Sequence, residues 1–415
     1  MHKGDIITAI KTEGKEKPVA DISKEELAGY LNGNSEADVT ITVKTTAGET
    51  KTAVLHKEKI TNDEGIVKSY VLHGKQNIGY INLPGFYSRE DETITNEQDI
   101  KYDGCANDVS KEIVKLKKDT IAGLILDMRF NGGGSMWEAM QLAGIFIDIG
   151  PVASVKDKTA KVHFLKDPNR GTIYDGPLIV LINGASASAS EFVSAVLQDY
   201  NRALIVGGTT YGKGTAQQVL PLDTSRFDQT KKYEDFVKVT MEKFYRANGS
   251  TTQWKGVVPD ILLPDMYAAD EYKEKNNASA LQPDNSKAGT YQVLTALPVA
   301  GLAAKSKQRI EGNTYFKSIS SFTSWMEQVK KERTVNLQWA GYAIQYYNVM
   351  KMYKQFEENR QSNSNIVISN NGFDGQRILE LTQRSKEINQ TYLDHLQNDE
   401  VLTEAYRILM DWNGR

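Results

Sequence analysis

Ser186, Ser188 and Ser190 stand at alternate positions in "NGASASASEF" (183–192), with only alanines between them. Small hydroxyls at that spacing describe an exposed turn that must fit closely around something. A serine that attacks a carbonyl needs a base to take its proton. The histidines, His2, His56, His73, His163 and His395, all lie away from the glycine-rich turns. His163, in "KVHFL", alternates along a strand and reads as a packed or surface residue. A Ser-His-Asp triad is defined by geometry rather than by order, and no histidine here supports one.

Lysine is the other candidate. In "GGTTYGKGTAQQ" (207–218) Lys213 sits between two glycines. A free lysine titrates near about 10.4, but burial disfavours the ammonium and lowers that value by up to several units. Flanking glycines let the backbone turn tightly and bring the amine to another segment. Two other readings fit the same residues. One is a surface turn with a solvated lysine. The other is a phosphate loop, because Gly207, Gly212 and Lys213 fit G-x-x-x-x-G-K after a strand. That rival has Gly214 where a Ser or Thr should hold the metal, and "TAQQVLPLD" reads as a strand where a helix is required.

The elements around these turns follow from hydrophobic period. Residues 1–57 contain short alternating runs ("DIITAI", "DVTITVKT", "KTAVLH") and one helix, "SKEELAGYLNGN", with a serine cap. From residue 66, strands "IVKSYVLH" and "IGYINLPGFY" precede an amphipathic helix at 108–118. "IAGLILDMRF" (121–130) is nearly continuous in apolar residues, as in a strand buried on both faces. Helix "SMWEAMQLAGIFID", strand "PLIVLING", helix "SEFVSAVLQDY" and strand "RALIVG" complete an α/β alternation. "FVKVTMEKFYR" and "TTQWKGVVPDILLP" predict an antiparallel hairpin turning at Asn248-Gly249. Beyond 265 a polar, turn-rich stretch reads as a linker or surface excursion. The remainder is helical in period, interrupted by a loop at "NIVISNNGFDG".

Composition bounds the rest. The 415 residues exceed one ordinary core. A net charge of −3 gives no reason to expect nucleic acid as a partner. The apolar runs are too short for a spanning helix, and "MHKGDIITAIKTEGKEK" lacks the apolar segment of a signal peptide. The single cysteine, Cys105, reads as a structural thiol, and no His- or Cys-rich cluster suggests a metal site.

The stretch "SASASEFVSAVLQDYNRALIVGGTTYGKGTAQQ" closely resembles the core signature of the C-terminal processing proteases, or tail-specific proteases. The likeness extends to "LILDMRFNGGGS", "GPLIVLING" and "KFYRANGSTTQWKGVVPDILLP", from about residue 76 to 265. The resemblance implies an α/β core like that of the Clp protease/crotonase superfamily. It also implies that Ser188 is the nucleophile, Lys213 the general base and Gln217 the residue that orients the lysine, with no cofactor. Ser186 and Ser190 then read as tightly packed neighbours.

The residues agree with that assignment. Ser188 falls where the strand ends and the helix begins, so the Ala189 amide points from a helix N-terminus and suits an oxyanion donor. A second donor is expected from Gly132 to Gly134, with Gly133 or Gly134 favoured, since glycine lets the backbone approach a scissile carbonyl. Asp199 and Glu191 flank the helix as candidate support residues. For Glu191, in the first turn, complementing the helix dipole is reason enough. Arg129 is a candidate anchor for the glycine-rich turn.

Three divisions are therefore expected: a partial PDZ module at 1–57, a protease core at 58–265, and a linker with a C-terminal helical domain at 266–415. "HKGDIITAI" and "SKEELAGYLNG" resemble the later strand and groove helix of a PDZ domain. The carboxylate-binding part would lie upstream, so the chain reads as N-terminally truncated. "NDEVLTEAYRILMDW" resembles the C-terminal domain of the larger bacterial members. The resemblance implies protein or peptide substrates with flexible C-termini, a periplasmic or cell-envelope location, and at most peripheral proximity to a membrane. A non-processing scaffold protein is the alternative, and an acyl-CoA enzyme shares the core fold without the Ser-Lys signature.

Overall fold

The computed structural model describes residues 4–12, 15–32, 38–56, 65–89, 103–167, 170–222, 235–269, 272–332, 334, 336–359 and 366–414. The chain divides into two compact units, 1–64 and 65–415. The boundary expected at 57 falls at the edge of 57–64, outside the described residues.

In the first unit, strands β1 (Ile6–Thr12), β2 (Lys15–Pro18), β3 (Val39–Lys44) and β4 (Thr50–Leu55) form an antiparallel sheet in the order β2-β1-β3-β4. Helix α1 (Lys24–Asn32) begins where Ser23 Oγ accepts the Glu26 amide at 3.0 Å, the cap read from the sequence. Leu27, Tyr30 and Leu31 of α1 pack against buried Ile10, Val39, Ile41 and Val43. Alternation along β3 puts its three apolar residues on one face, and α1 covers them.

The second unit opens with β5 (Lys68–His73), β6 (Ile78–Asn82) and a short pair, β7 (Ser88–Arg89) with β8 (Asp103–Gly104). Then follow α2 (Cys105–Lys118), β9 (Leu124–Asp127), α3 (Met136–Gly144), β10 (Pro151–Asp157), β11 (Val162–Lys166), β12 (Leu178–Ile182), α4 (Ala189–Asp199), β13 (Leu204–Gly207), β14 (Thr215–Pro221), β15 (Phe236–Tyr245) and β16 (Ile261–Leu262). The C-terminal part comprises α5 (Val299–Gly312), α6 (Thr314–Glu332), α7 (Trp339–Asn359), β17 (Val367–Asn370), α8 (Gly372–Leu379), α9 (Gln383–Gln397) and α10 (Glu400–Asn413).

Among the described residues the central sheet runs β16-β13-β12-β9-β6-β5-β17, parallel from β16 to β6 and antiparallel beyond. A second sheet runs β11-β10-β15-β14. Both faces of the central sheet are covered, which explains the unbroken apolar runs. Leu124, Leu126, Leu178, Val180 and Ile182 enter the core shared with α2, α3 and α4. Ile125, Ile179 and Leu181 point the other way, into a core with Leu302, Phe316, Ile319, Leu402, Ile408 and Leu409 of the C-terminal helices. The helices after 298 thus share a core with the sheet.

Two local expectations are corrected. Gly249, at φ 84°, turns the chain after β15 and donates its amide to the Arg246 carbonyl. The following segment does not pair as a hairpin strand, because its backbone bonds to the lysine turn instead. The Trp254 amide reaches the Gly212 carbonyl at 2.8 Å and Gln253 Oε1 accepts the Gly214 amide at 2.7 Å. The loop expected at "NIVISNNGFDG" contains β17, which adds to the sheet edge at β5. Asn371 then caps α8 by accepting the Phe373 and Asp374 amides.

Candidate active site

Three turns at the C-terminal ends of β9, β12 and β13 meet, where open α/β sheets place their ligands. The first carries the alternating serines. Ser186 and Ser190 are fully buried, and each hydroxyl donates to a backbone carbonyl, Met128 and Asn131 respectively, at 2.8 Å. Ser188 is half-buried and has φ 57° and ψ −113°. A non-glycine residue at positive φ is strained, and such strain gathers at functional sites. A serine on a strained strand-to-helix turn is the arrangement of a nucleophile elbow.

Glu191 joins this turn to the lysine turn. It lies one turn into α4, fully buried. One carboxylate oxygen accepts the amides of Ser188 at 2.7 Å and Lys213 at 2.8 Å. The other accepts the Gly212 amide and the Thr210 hydroxyl, both at 2.7 Å. Burial pushes its pKa up, while those donors pull against the shift. The sequence reading of Glu191 as a dipole partner understates this junction. Thr210 was missed: its hydroxyl also accepts the Val257 amide at 2.6 Å.

The lysine itself is half-buried. Lys213 Nζ donates to Gln217 Oε1 at 2.9 Å, and Gln217 Nε2 continues to Thr240 Oγ1 at 3.3 Å. Burial lowers the Lys213 pKa, the nearby Lys238 charge lowers it further, and Glu274 and Glu191 oppose both. A lowered lysine pKa is what a base needs near neutral pH.

The glycine-rich turn closes on the serine. Gly133, at φ 101°, lies so near that a Cβ there would stand 2.8 Å from Ser188 Cβ. Its amide donates to Asn131 Oδ1 at 2.9 Å and its carbonyl accepts the Phe86 amide at 3.1 Å. Ser135 donates to the Phe86 carbonyl, so the Gly134 amide between them stays out of that bridge. Gly134 has φ 142°, and Gly132 meets nothing within 4 Å on its side-chain face. The Ala189 amide opens α4.

Asn131 was not singled out in the sequence. It is fully buried, its Nδ2 donates to the Leu83 carbonyl, and its own carbonyl accepts the Ala187 amide and the Ser190 hydroxyl. An asparagine before three glycines, where a strand ends, was the available signal.

The remaining candidates lie elsewhere. Asp199 ends α4, roughly 16 Å along the helix from Ser188, and accepts Arg246 and Asn248. Arg129 pairs with Asp127 and with Asp399 at the start of α10, each at 2.6 Å. It therefore anchors the C-terminal helices to the end of β9, and Asn131 holds the glycine-rich turn. Cys105 is buried and free, with its pKa pushed up by burial. Among the described residues no cluster of His, Cys, Asp and Glu could hold a metal.

The profile of peptidase family S41 matches residues 77–263, and that of the C-terminal domain of tail specific protease matches 267–413. Residues 77–263 thus belong to peptidase family S41. It is 33% identical over 294 residues to a tail-specific protease of Haemophilus influenzae, covering 70% of this chain and 40% of that protein. A carboxy-terminal-processing protease of Bartonella bacilliformis is 29% identical over 269 residues, 64% of this chain and 56% of its own. The chain thus spans about half the length of these curated relatives. Among solved structures, a photosystem II D1 C-terminal processing protease aligns with 65% of this chain and 69% of its own, at 23% identity and a TM-score of 0.40.

Proposed function

We propose that this S41 family member is a serine endopeptidase that uses Ser188 and Lys213 to cleave proteins or peptides near flexible, apolar C-terminal tails. The observation that carries the reading is the buried Glu191 carboxylate, which binds the Ser188 and Lys213 amides with one oxygen. It ties a strained serine elbow to a lysine of lowered pKa.

The neutral Lys213 amine takes the Ser188 hydroxyl proton as Oγ attacks the scissile carbonyl carbon. The carbonyl oxygen becomes an oxyanion, held by the Ala189 amide and an amide of the glycine-rich turn. Gly134 is the better donor of the two favoured from sequence, since the Gly133 amide is already bonded to Asn131. The lysine ammonium passes its proton to the amide nitrogen, the C–N bond breaks, and an acyl-enzyme remains on Ser188. Water then attacks the ester, Lys213 accepts its proton, and return of that proton to Oγ restores the serine. Gln217 orients the amine throughout.

Partners are unfolded or flexible polypeptide tails. A cell-envelope location follows from the resemblance, and no helix among the described residues is long and apolar enough to cross a membrane. The test is proteolysis of a protein with an added flexible apolar tail. Ser188→Ala, Lys213→Ala and Lys213→Arg should each abolish cleavage, the last because a guanidinium stays protonated in this range. Wild-type cleavage by Ser188→Ala would contradict the assignment.

A further inference from the structure

The stretch beyond 265 reads as a linker in the sequence, yet three of its residues, with Asp265 just before it, reach the three active-site turns. Asp265 Oδ2 accepts the Gly184 amide at 2.6 Å, ahead of the serines. The Tyr267 ring meets Phe130, next to the glycine-rich turn, edge-on at 5.5 Å. Lys273 is 8% exposed, and its ammonium donates to the Thr209 and Thr210 carbonyls at 2.6 and 3.0 Å. The Glu274 amide donates to the Tyr211 carbonyl at 3.1 Å, and its carboxylate bonds the Tyr211 hydroxyl. Three consecutive carbonyls, at 209, 210 and 211, are thus capped immediately before Gly212 and Lys213.

A buried ammonium is costly unless hydrogen-bonded, so Lys273 is not a solvated linker residue. Its acceptors are carbonyls of the turn, whereas Glu191 binds the Gly212 and Lys213 amides of the same turn. We propose that Lys273 and Glu274 are positioning residues for the reaction, clamping from outside the S41 match the backbone turn that carries Lys213. The proposal rests on the Ser188–Lys213 reading. Lys273 and Glu274 fall within the match to the C-terminal domain of tail specific protease, so that domain supplies part of the framework of the catalytic lysine.

Two consequences separate this clamp from plain structural support. Releasing the Thr209 and Thr210 carbonyls lets the lysine drift from the serine, and a misplacement of about 1 Å costs up to about 100-fold in rate. Lys273→Met should therefore lower kcat by about 10- to 100-fold, with KM for a tailed substrate within about twofold. Charge gives the second consequence. The groups acting on Lys213 are Lys238 from β15 and the carboxylates of Glu274 and Glu191, with Gln217 as its neutral partner. Glu274 favours the protonated amine, so Glu274→Gln should move the ascending limb of the pH–rate profile to lower pH.

The experiment measures kcat, KM and pH profiles for the full chain and both variants, with a circular dichroism spectrum of each. Full kcat in folded Lys273→Met, beside an active wild type, overturns the clamp. Should Lys273→Met not fold, Glu274→Gln decides, and an unmoved ascending limb overturns it. A wild type that neither cleaves nor reacts with a serine-directed phosphonate overturns the underlying reading, and the clamp falls with it.

Discussion

Burial of Lys213, reinforced by the Lys238 charge, lowers its pKa from the ordinary lysine value. The sign of the pH dependence follows directly. On the proposed mechanism the base must be neutral, so the rate should rise with pH as Lys213 loses its proton, beginning below the ordinary lysine value near about 10.4. A profile of kcat/KM from pH 6 to pH 10 on protein shown to stay folded checks this, and a steady fall with pH would contradict a lysine base. The proposed dyad of Ser188 and Lys213, with Gln217 beside it, could be singled out in the sequence because such chemistry needs those residue types at small-residue turns. Glu191 was legible only in part. Its bonds to the Lys213 and Gly212 amides span 21 and more positions, and no local pattern encodes that pairing.

At the scale of elements, the site depends on how strand ends are tied together. Asn131 bonds the end of β6 through Leu83, its own glycine turn through Gly133, and the serine turn through Ala187. Asn131→Ala leaves the buried Leu83 carbonyl and the partly buried Gly133 amide without that partner. At about 1–3 kcal/mol for each stranded group, the variant should lose about 2 kcal/mol or more of stability, measured by denaturant titration. It should also lose activity under conditions where it remains folded. Unchanged stability would contradict the role. The strands and helices themselves were readable, since alternation and apolar runs report burial directly. The hairpin expected after Gly249 was not, because Gln253 and Trp254 bond to the Gly212–Gly214 backbone rather than to a strand. That competition is tertiary and leaves no trace in the period.

Across the whole of residues 65–415, the C-terminal helices complete the second face of the central sheet, and β17 extends its edge. Arg129 and Asp399 mark the join. Burial is the largest single influence and opposes ionisation of Asp399, but the Arg129 charge and hydrogen bond, together with the Leu402 amide, hold the pKa below the ordinary value. A depressed carboxyl pKa contributes stability that is fully present above the unfolded value of about 4 and lost as pH falls through the folded one. Removing one partner of a buried pair costs about 3–5 kcal/mol. Arg129 keeps Asp127, so Asp399→Asn should fall near the lower end, about 3 kcal/mol. It should also flatten the acid limb of the stability curve below pH 4. A neutral effect in urea titrations at pH 7 would show that the helices hold without this pair. The helical content after 298 was legible from period, but its burial against the sheet was not. Residues such as Leu402 and Ile408 look alike whether they face a helical bundle or a strand.

The central claim, a serine activated by a lysine, is tested most directly by where a fluorophosphonate probe attaches. Intact-mass and peptide-mapping spectrometry of the full chain should find one adduct, on Ser188. The adduct should be absent in Ser188→Ala and at least about 100-fold slower to form in Lys213→Ala. An adduct on another residue, or equal labelling rates in wild type and Lys213→Ala, would contradict the account.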